Sequence, residues 1–158
     1  MKVLLINKYL YHRGGDAVST ITTGKILKEQ GHNVQFLGMS HPDNPDYEMS
    51  KHFIDHIDYE SPHSLFDQIS IAGKLLYSFE AKKKLKNLLA EFKPDIVHLN
   101  NFAHQISPSI LHVLRQNNIP AVMTMRDYKM VCPSYAMLDE ERPCQKCEQR
   151  QFFLVFPT

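Results

Sequence analysis

Two adjacent glycines, Gly14 and Gly15, separate an apolar run from a stretch whose apolar residues recur at helical spacing. Glycine leaves the main chain uncovered, and the first amides of a helix have no acceptor inside the helix. A turn of this kind can therefore hold an anion such as a phosphate. Asp16 complicates this interpretation, because a carboxylate at the helix start can cap the same amides and repel an anion. The alternative is a tight turn in which the glycines only supply positive φ angles.

Polar side chains also follow a second apolar run, residues 95–100. His98 and Asn100 lie at its end, and Asn101 and His104 come after it. An imidazole or an amide in this position can hydrogen-bond a ligand hydroxyl or stabilise a developing charge. For His98 the alternative is a core histidine whose partners are all within the protein.

Arg126, Asp127 and Tyr128 follow a further apolar run, residues 120–125. An arginine stays protonated and only donates hydrogen bonds, so Arg126 can bind a phosphate or an acidic ligand group at two points. A fixed ion pair between Arg126 and Asp127 is the alternative.

Three cysteines, Cys132, Cys144 and Cys147, lie near the end of the sequence, the last two in C-x-x-C spacing. An odd number of cysteines without a signal peptide argues against a disulfide framework. Three thiolates are compatible with a tetrahedral zinc site, but the sequence after Cys147 supplies no fourth cysteine or histidine. The alternatives are a structural zinc and reduced, partly buried thiols.

The segments that carry these residues alternate between strand and helix patterns. Continuous apolar runs, typical of strands covered on both faces, occupy residues 2–7, 33–38, 95–100 and 120–125. Helical spacing predicts a helix capped by Asp16 and stopped at Gly31, one within residues 65–92 ended by Pro94, and one capped by Ser107 with Pro108 as its first residue. Met39–Ser64 has no period, and the sequence after Met125 is expected to be irregular, with a helical turn near Met130.

This order predicts an α/β fold: one three-layer, Rossmann-like domain with a parallel sheet of about four strands. Parallel sheets bind ligands at the carboxyl ends of their strands, where the residues above lie.

The composition bounds the class of protein. The 158 residues carry a formal net charge of +1, which favours no nucleic-acid partner. No run reaches the roughly 20 apolar residues of a membrane span, and the N-terminus lacks the pattern of a signal peptide. We therefore expect a cytoplasmic protein. Lys82, Lys83, Lys84 and Lys86 form a basic run that either faces solvent or contacts anionic headgroups at the inner face of the membrane.

Three motifs together resemble glycosyltransferase family 4. "RGGDAVST…LKEQGHNVQFLG" resembles the family's glycine-rich opening, "KPDIVHLNNFAHQISPSIL" its "PDVVH" strand and following helix, and "IPAVMTMRDYKMVCPS" its "T-x-H-D-Y" segment. They occur in the family's order and cover most of the chain. Arg126 departs from the pattern, which has histidine there, and an arginine cannot exchange a proton near neutral pH.

The resemblance implies one half of a GT-B architecture, in which two Rossmann-like domains face each other across a cleft. It implies transfer of a sugar, with retention, from a nucleotide to an acceptor hydroxyl, without a required metal. The amides of Gly14 and Gly15 would lie against the donor diphosphate or the reacting sugar. Catalytic roles are then expected for His98, Arg126 and Asp127, and donor or acceptor contacts for Gly14, Gly15, Asp16, Asn100, Asn101, His104 and Tyr128.

Residues 1–158 correspond to the N-terminal, acceptor-side domain of that family. We expect a truncated chain that lacks the donor domain, is inactive alone, and belongs to polysaccharide biosynthesis with a glycan or lipid-linked acceptor. The alternative is a non-catalytic acceptor-binding subunit of a split glycosyltransferase, paired with a separate donor-domain chain. A nucleotide-binding domain of a reductase is disfavoured, because no acidic residue ends the second predicted strand.

Overall fold

A computed structural model describes residues 1–56, 77–102, 106–128, 131–132, 136–139 and 142–145. The chain divides into two compact units, Met1–Thr124 and Met125–Thr158. The first unit contains a parallel sheet in the order β2-β1-β3-β4. Its strands are β1 (Lys2–Ile6), β2 (Asn33–Leu37), β3 (Ile96–Leu99) and β4 (Ala121–Met123). The prediction of a Rossmann-like α/β fold with four parallel strands is confirmed.

Along the chain, the described helices alternate with these strands. They are α1 (Gly15–Glu29), α2 (Phe79–Phe92) and α3 (Ser109–Gln116), with a 3₁₀ turn at Ser50–His52. None of them has the length and apolar content needed to cross a bilayer.

Helix α1 packs directly on one face of the sheet. The strand register places Leu5 beside Phe36 on one side and beside His98 on the other, so all three side chains share a face. A Cβ added at Gly24 of α1 would collide with the rings and methyls of Phe36 and Leu5. His98 therefore lies on the α1 face of the sheet.

Helix α2 covers the opposite face. Side chains alternate along a strand, so Lys2 points to the face opposite Leu5. The Lys2 Nζ lies 5.9 Å from the centre of the Phe92 ring of α2. Leu4 and Ile6, on the same side as Lys2, are fully buried. Helices on both faces explain why β1 is an uninterrupted apolar run and confirm the three layers.

The first helix begins two residues earlier than predicted, and Asp16 does not cap it. Its N-cap is Gly14, which receives no capping hydrogen bond from a described side chain. The predicted stop is confirmed. Gly31 has a φ of +82°, its amide donates to Lys28 O, and the amide of His32 donates to Leu27 O, the two bonds of a Schellman motif.

The helix predicted within residues 65–92 is confirmed for Phe79–Phe92, which form α2. Tyr77 and Ser78 are not helical, because the Ser78 side chain caps α2 by accepting from the Ala81 amide at 3.1 Å. Residues 57–76 lie outside the described part. The helix ends before Pro94, with Lys93 in the left-handed region at a φ of +50°.

Helix α3 starts at Ser109, one residue later than predicted, but Ser107 still acts on its first turn. The buried Ser107 Oγ accepts from the amides of Ser109 at 3.3 Å and Ser78 at 2.9 Å. The Ser109 hydroxyl in turn donates to Ser78 O at 2.9 Å. This serine cluster holds the beginnings of α2 and α3 together.

The second unit contains a short antiparallel pair, β5 (Leu138–Asp139) and β6 (Arg142–Pro143). The expectation of irregular structure is wrong for residues 138–143, because strands of two residues leave no readable period. The helical turn predicted near Met130 falls on residues 129–130, outside the described part.

Candidate functional site

The Gly14–Gly15 pair adopts a backbone that does not demand glycine. Gly14 is extended, with a φ of −163°, and Gly15 is the first residue of α1. Among the described glycines, only Gly31 has a positive φ. A Cβ at Gly15 would meet no described atom within 4 Å, and one at Gly14 would touch only Asp16 Oδ1, at 3.4 Å. The tight-turn alternative therefore fails, and the pair leaves bare main chain at an exposed position.

Asp16 is turned towards the loop that follows β3. Its Oδ2 accepts from Asn101 Nδ2 at 3.1 Å. This bond connects the first turn of α1 to that loop, so two of the predicted site residues are in direct contact. One carboxylate oxygen of the side chain that could cap the helix amides is thus engaged by Asn101.

Asn7, which the sequence interpretation did not select, organises the same edge of the sheet. Its Oδ1 accepts from the Asn101 amide at 3.0 Å, and its Nδ2 donates to Tyr9 O at 2.6 Å. The Lys8 amide donates to Asn101 O at 2.7 Å. Asn7 is fully buried. The available signal was a polar residue directly after an apolar strand, at its carboxyl end.

His98 and Asn100 occupy different environments. Asn100 is buried, and its amide continues the β1–β3 ladder by donating to Ile6 O at 2.9 Å. His98 is half-buried, and its Nε2 lies 2.7 Å from the hydroxyl oxygen of Thr124. Thr124, directly after β4, is a second residue that the sequence interpretation missed.

The loop from Asn7 to Gly14 crosses the end of β2. A Cβ at Gly38 would lie 2.8 Å from Asn7 O and 2.6 Å from the Leu10 side chain, so only glycine fits there. The Tyr47 hydroxyl donates to Leu10 O at 2.8 Å, and burial raises the pKa of Tyr47 above its ordinary value. These contacts hold the loop that leads into Gly14.

The remaining predicted residues belong to the second unit or lie outside the described part. Arg126, Asp127 and Tyr128 belong to the second unit and are exposed. His104 lies outside the described residues, so its predicted contact stays a prediction.

The zinc site also stays a prediction. Cys132 is buried and Cys144 half-buried, while Cys147 lies outside the described part. Within that part, no group of three or more metal-ligating side chains is close enough to hold an ion.

The basic run lies on α2. Lys82, Lys83 and Lys86 share a helix face with Phe79, which is 76% exposed. Lys84 lies off this face and is half-buried. The Lys82 Nζ donates to the Tyr77 hydroxyl at 2.9 Å. The face thus combines positive charge with an exposed aromatic ring.

Comparison with known proteins identifies one family. The family description "Glycosyltransferase Family 4" matches residues 13–141. A Klebsiella pneumoniae protein, described as an uncharacterized 42.6 kDa protein in cps region, is 29% identical over 145 residues. That alignment covers 85% of this chain and 39% of the relative, so the chain spans about two fifths of the relative's length.

Proposed function

The chain belongs to glycosyltransferase family 4, and from that premise we propose that it forms the acceptor-side half of a retaining sugar transferase. The observation that carries the proposal is the exposed Gly14–Gly15 pair, which the fold itself does not require. Its bare amides receive the donor diphosphate, and the acceptor hydroxyl reaches the same edge of the sheet.

The first turn of α1 has the donors that this role needs. Val18 is the first residue whose amide donates within the helix, to Gly14 O at 3.0 Å. The amides of Gly15, Asp16 and Ala17 precede it and point out of the helix end, where the helix dipole also favours negative charge. Because Asp16 bonds Asn101 rather than these amides, an anion can reach them.

The acceptor is bound by polar groups at the ends of β3 and β4 in this proposal. His98 and Thr124 form a hydroxyl-and-imidazole pair on the α1 face of the sheet. Such a pair can orient an acceptor hydroxyl or receive its proton. The roles expected for Arg126 and Asp127, which belong to the second unit, stay predictions.

The nucleotide is held mainly by a second domain, either joined to this chain or on a separate polypeptide. The relative's cps region supports a role in polysaccharide biosynthesis, with a glycan or a lipid-linked glycan as acceptor. We expect the 158-residue chain alone to hydrolyse neither UDP-sugars nor GDP-sugars. Turnover at ordinary enzyme rates would contradict the need for a second domain.

A lipid-linked acceptor would bring the protein to the membrane surface through the α2 face. Lysines attract anionic headgroups, and Phe79 offers an aromatic ring to the interface. We expect co-sedimentation with phosphatidylcholine–phosphatidylglycerol vesicles, lost in the variant Phe79→Ser with Lys83→Gln and Lys86→Gln. Lys25→Gln, on an exposed position of α1, is the control; equal sedimentation of all variants would remove this part of the proposal.

The diphosphate site is tested by inorganic pyrophosphate, followed through the amide signals of the ¹⁵N-labelled chain. We expect pyrophosphate to shift Gly14, Gly15 and Asp16, with affinity reduced at least tenfold by Gly15→Val. Thr22→Val places the same side chain at an exposed position of the same helix and should leave binding unchanged. Equal binding by the wild-type chain and Gly15→Val, or shifts confined to other residues, would overturn the proposal.

A further inference from the structure

A cavity of about 660 Å³ lies between the ends of α2 and α3. Helix α2 runs into β3 and helix α3 runs into β4, so the cavity lies beside the amino ends of these two strands. The Gly14–Gly15 pair lies beyond the carboxyl end of β1, and the strands of this sheet are parallel. The cavity and the site described above therefore occupy opposite edges of the sheet.

One stripe of α2 forms the first wall of the cavity. Lys86, Ala90 and Lys93 follow one another at spacings of four and three residues, so they share a helix face. All three are exposed, while Leu89 and Pro94 beside them are buried. The wall therefore has an apolar middle with a lysine towards each end.

The end of α3 forms the second wall. Its carboxamide residues Gln116 and Asn117 are exposed, and Ile119 is half-buried. The Asn117 Nδ2 donates to Val113 O at 2.8 Å, which fixes that side chain. Among the described residues, none donates to the Asn117 Oδ1. This wall can therefore exchange hydrogen bonds with the hydroxyl groups of a ligand.

The charges around the cavity leave it positive. The carbonyl end of a helix carries about half a negative charge, so the ends of α2 and α3 together contribute about one. Lys86 and Lys93 contribute two positive charges, and neither forms an ion pair with an acidic side chain in the described part of the chain. A surplus of about one positive charge remains, which a singly charged anion would neutralise.

The acidic residues nearest in the sequence have other partners. Glu91 binds the Lys51 Nζ at 2.8 Å and the His52 Nε2 at 2.9 Å. The Asp95 Oδ2 accepts from the Lys2 amide at 2.7 Å. Neither carboxylate lines the cavity, so its positive charge is left for a ligand.

Lys93 is an unusual residue for its position. It ends α2 in the left-handed region, at a φ of +50°, where a side chain is strained. The ends of α1 and α3 use residues that tolerate this conformation, Gly31 at +82° and Asn118 at +52°. Local strain of this kind is characteristic of functional positions. An ammonium group that binds a ligand in the cavity would give Lys93 such a function.

From these observations we propose that the cavity binds a phosphodiester with one negative charge and a hydroxylated ester group. Its phosphate oxygens accept from Lys86 and Lys93, whose flexible side chains converge on one group. The hydroxyls bond Gln116 and Asn117, and the second ester substituent packs on the apolar middle of the α2 wall.

A phosphodiester fits the two walls better than other common anions. It has two substituents, so one meets the carboxamides while the other meets the apolar stripe, whereas a carboxylate has only one. A phosphomonoester carries about −1.5 to −2 charges at pH 7. Its second charge would stay uncompensated in the cavity, where desolvation is costly.

Two sources supply this chemistry, the headgroup of phosphatidylglycerol in a bilayer and a free glycerophosphodiester. Lys86 belongs both to the cavity and to the basic face of α2 that carries Phe79. A lipid headgroup in the cavity would therefore extend the membrane contact proposed above. The site itself does not depend on the sugar transfer.

The soluble headgroup glycerophosphoglycerol tests the site, followed through the amide signals of the ¹⁵N-labelled full chain. We expect it to shift Ala90, Lys93, Gln116 and Asn117. Lys93→Gln keeps a side chain and its strain but removes the charge, so affinity should fall at least tenfold at an unchanged melting temperature. Absence of shifts at these residues, or equal affinity of wild type and Lys93→Gln, would overturn the proposal.

Lys93→Gly separates binding from stability. Glycine relieves the strain, so this variant should melt at or above the wild-type temperature and still lose at least tenfold in affinity. Asn118→Gly is the matched control, because it makes the same change at a left-handed residue that does not line the cavity. Its affinity should equal that of the wild type. An equal loss in Asn118→Gly and Lys93→Gly would contradict the role of the lysine.

Vesicles identify the source of the ligand. Co-sedimentation with phosphatidylcholine–phosphatidylglycerol vesicles that excess glycerophosphoglycerol abolishes would identify the lipid headgroup. Binding of the soluble diester without such competition would identify a free diester, and both results support the site. Vesicle binding with no response to the soluble probe would overturn it, because the general attraction of the basic face would then suffice.

Discussion

The loop after β1 and the segment after β4 carry similar sequence signals but differ in structure. Both follow a short apolar run, and both contain polar residues suited to a ligand. The β1 loop is held by buried groups, with Leu10 fully buried, whereas Tyr128 in the β4 segment is 55% exposed. Strand β1 lies inside the sheet between β2 and β3, while β4 is bonded to β3 at the end of the described sheet.

The difference shows that a strand's place in the sheet decides how firmly its terminal loop is held. A loop that leaves a central strand has neighbours on both sides that can accept and donate hydrogen bonds. Asn7 uses both, since its amide donates to Leu37 O of β2 at 3.2 Å and its Oδ1 accepts from the amide of Asn101, which follows β3. We therefore expect substitutions in the β1 loop to affect folding, and substitutions in the β4 segment to affect binding without folding.

The largest effect is expected for Gly38→Ala. The added methyl would lie 2.8 Å from Asn7 O, and main chain there cannot retreat without moving the β1 loop. We expect the free energy of unfolding to fall by about 3 kcal/mol in urea titrations. Gly15→Ala makes the same change where no described atom is near, and should leave stability within about 1 kcal/mol of wild type. Equal effects at the two positions would contradict the close approach at Gly38.

Asn7→Ala should come next. It removes the partners of the Asn101 amide and of Tyr9 O at a buried position, which costs about 2 kcal/mol. Chemical denaturation measures the loss. Asn33→Ala, at the exposed start of β2, is the control and is expected to stay within about 0.5 kcal/mol. A loss at Asn7 no greater than at Asn33 would show that the loop is held by other contacts.

These two substitutions also mark how far the sequence predicts the fold. Apolar runs, Gly31 and Pro94 predicted the sheet and two helix ends, because burial and stop residues act locally. The capping role of Ser78 was not predicted from the sequence. Periodicity alone did not locate the start of α2, and the role depends on that start. The Gly38 contact depends on a loop crossing from β1, and no local pattern encodes such a crossing.

Tyr47→Phe should have a smaller effect with a characteristic pH dependence. Losing the bond to Leu10 O costs about 1 kcal/mol. Burial raises the pKa of Tyr47, so the folded chain keeps a proton that the unfolded chain releases above pH 10.0. The free energy of unfolding of the wild type therefore decreases as pH rises above that value.

Melting curves between pH 8 and pH 11 measure this slope. The alkaline decrease should be shallower in Tyr47→Phe than in wild type. Tyr77→Phe, which removes a surface hydroxyl, is the control. Parallel slopes for wild type and Tyr47→Phe would show that Tyr47 is not the group responsible.

The smallest effect on stability is expected for Arg126→Ala, within about 0.5 kcal/mol, because the residue is exposed in the second unit. A thermal melt checks this. If Arg126→Ala destabilised the chain as much as Asn7→Ala, the contrast between the two loops would be wrong.

The candidate site was predictable in its residue types and less so in its connections. Gly14, Gly15, Asp16 and Asn101 were selected because polar and glycine residues gather at strand ends. The contacts between these residues were not predicted, because the Asp16–Asn101 bond joins residues 85 positions apart in the sequence. Asn7 and Thr124 were missed for the same reason: each acts through a partner that only the folded sheet brings close.

Strand β4 has a practical consequence for handling the isolated chain. Its Val122 and Met123 are 50% and 39% exposed, on a strand at the end of the described sheet. Apolar edge strands of this kind recruit strands from other molecules and so promote aggregation. We expect concentration-dependent oligomers in light scattering, which Val122→Lys should suppress.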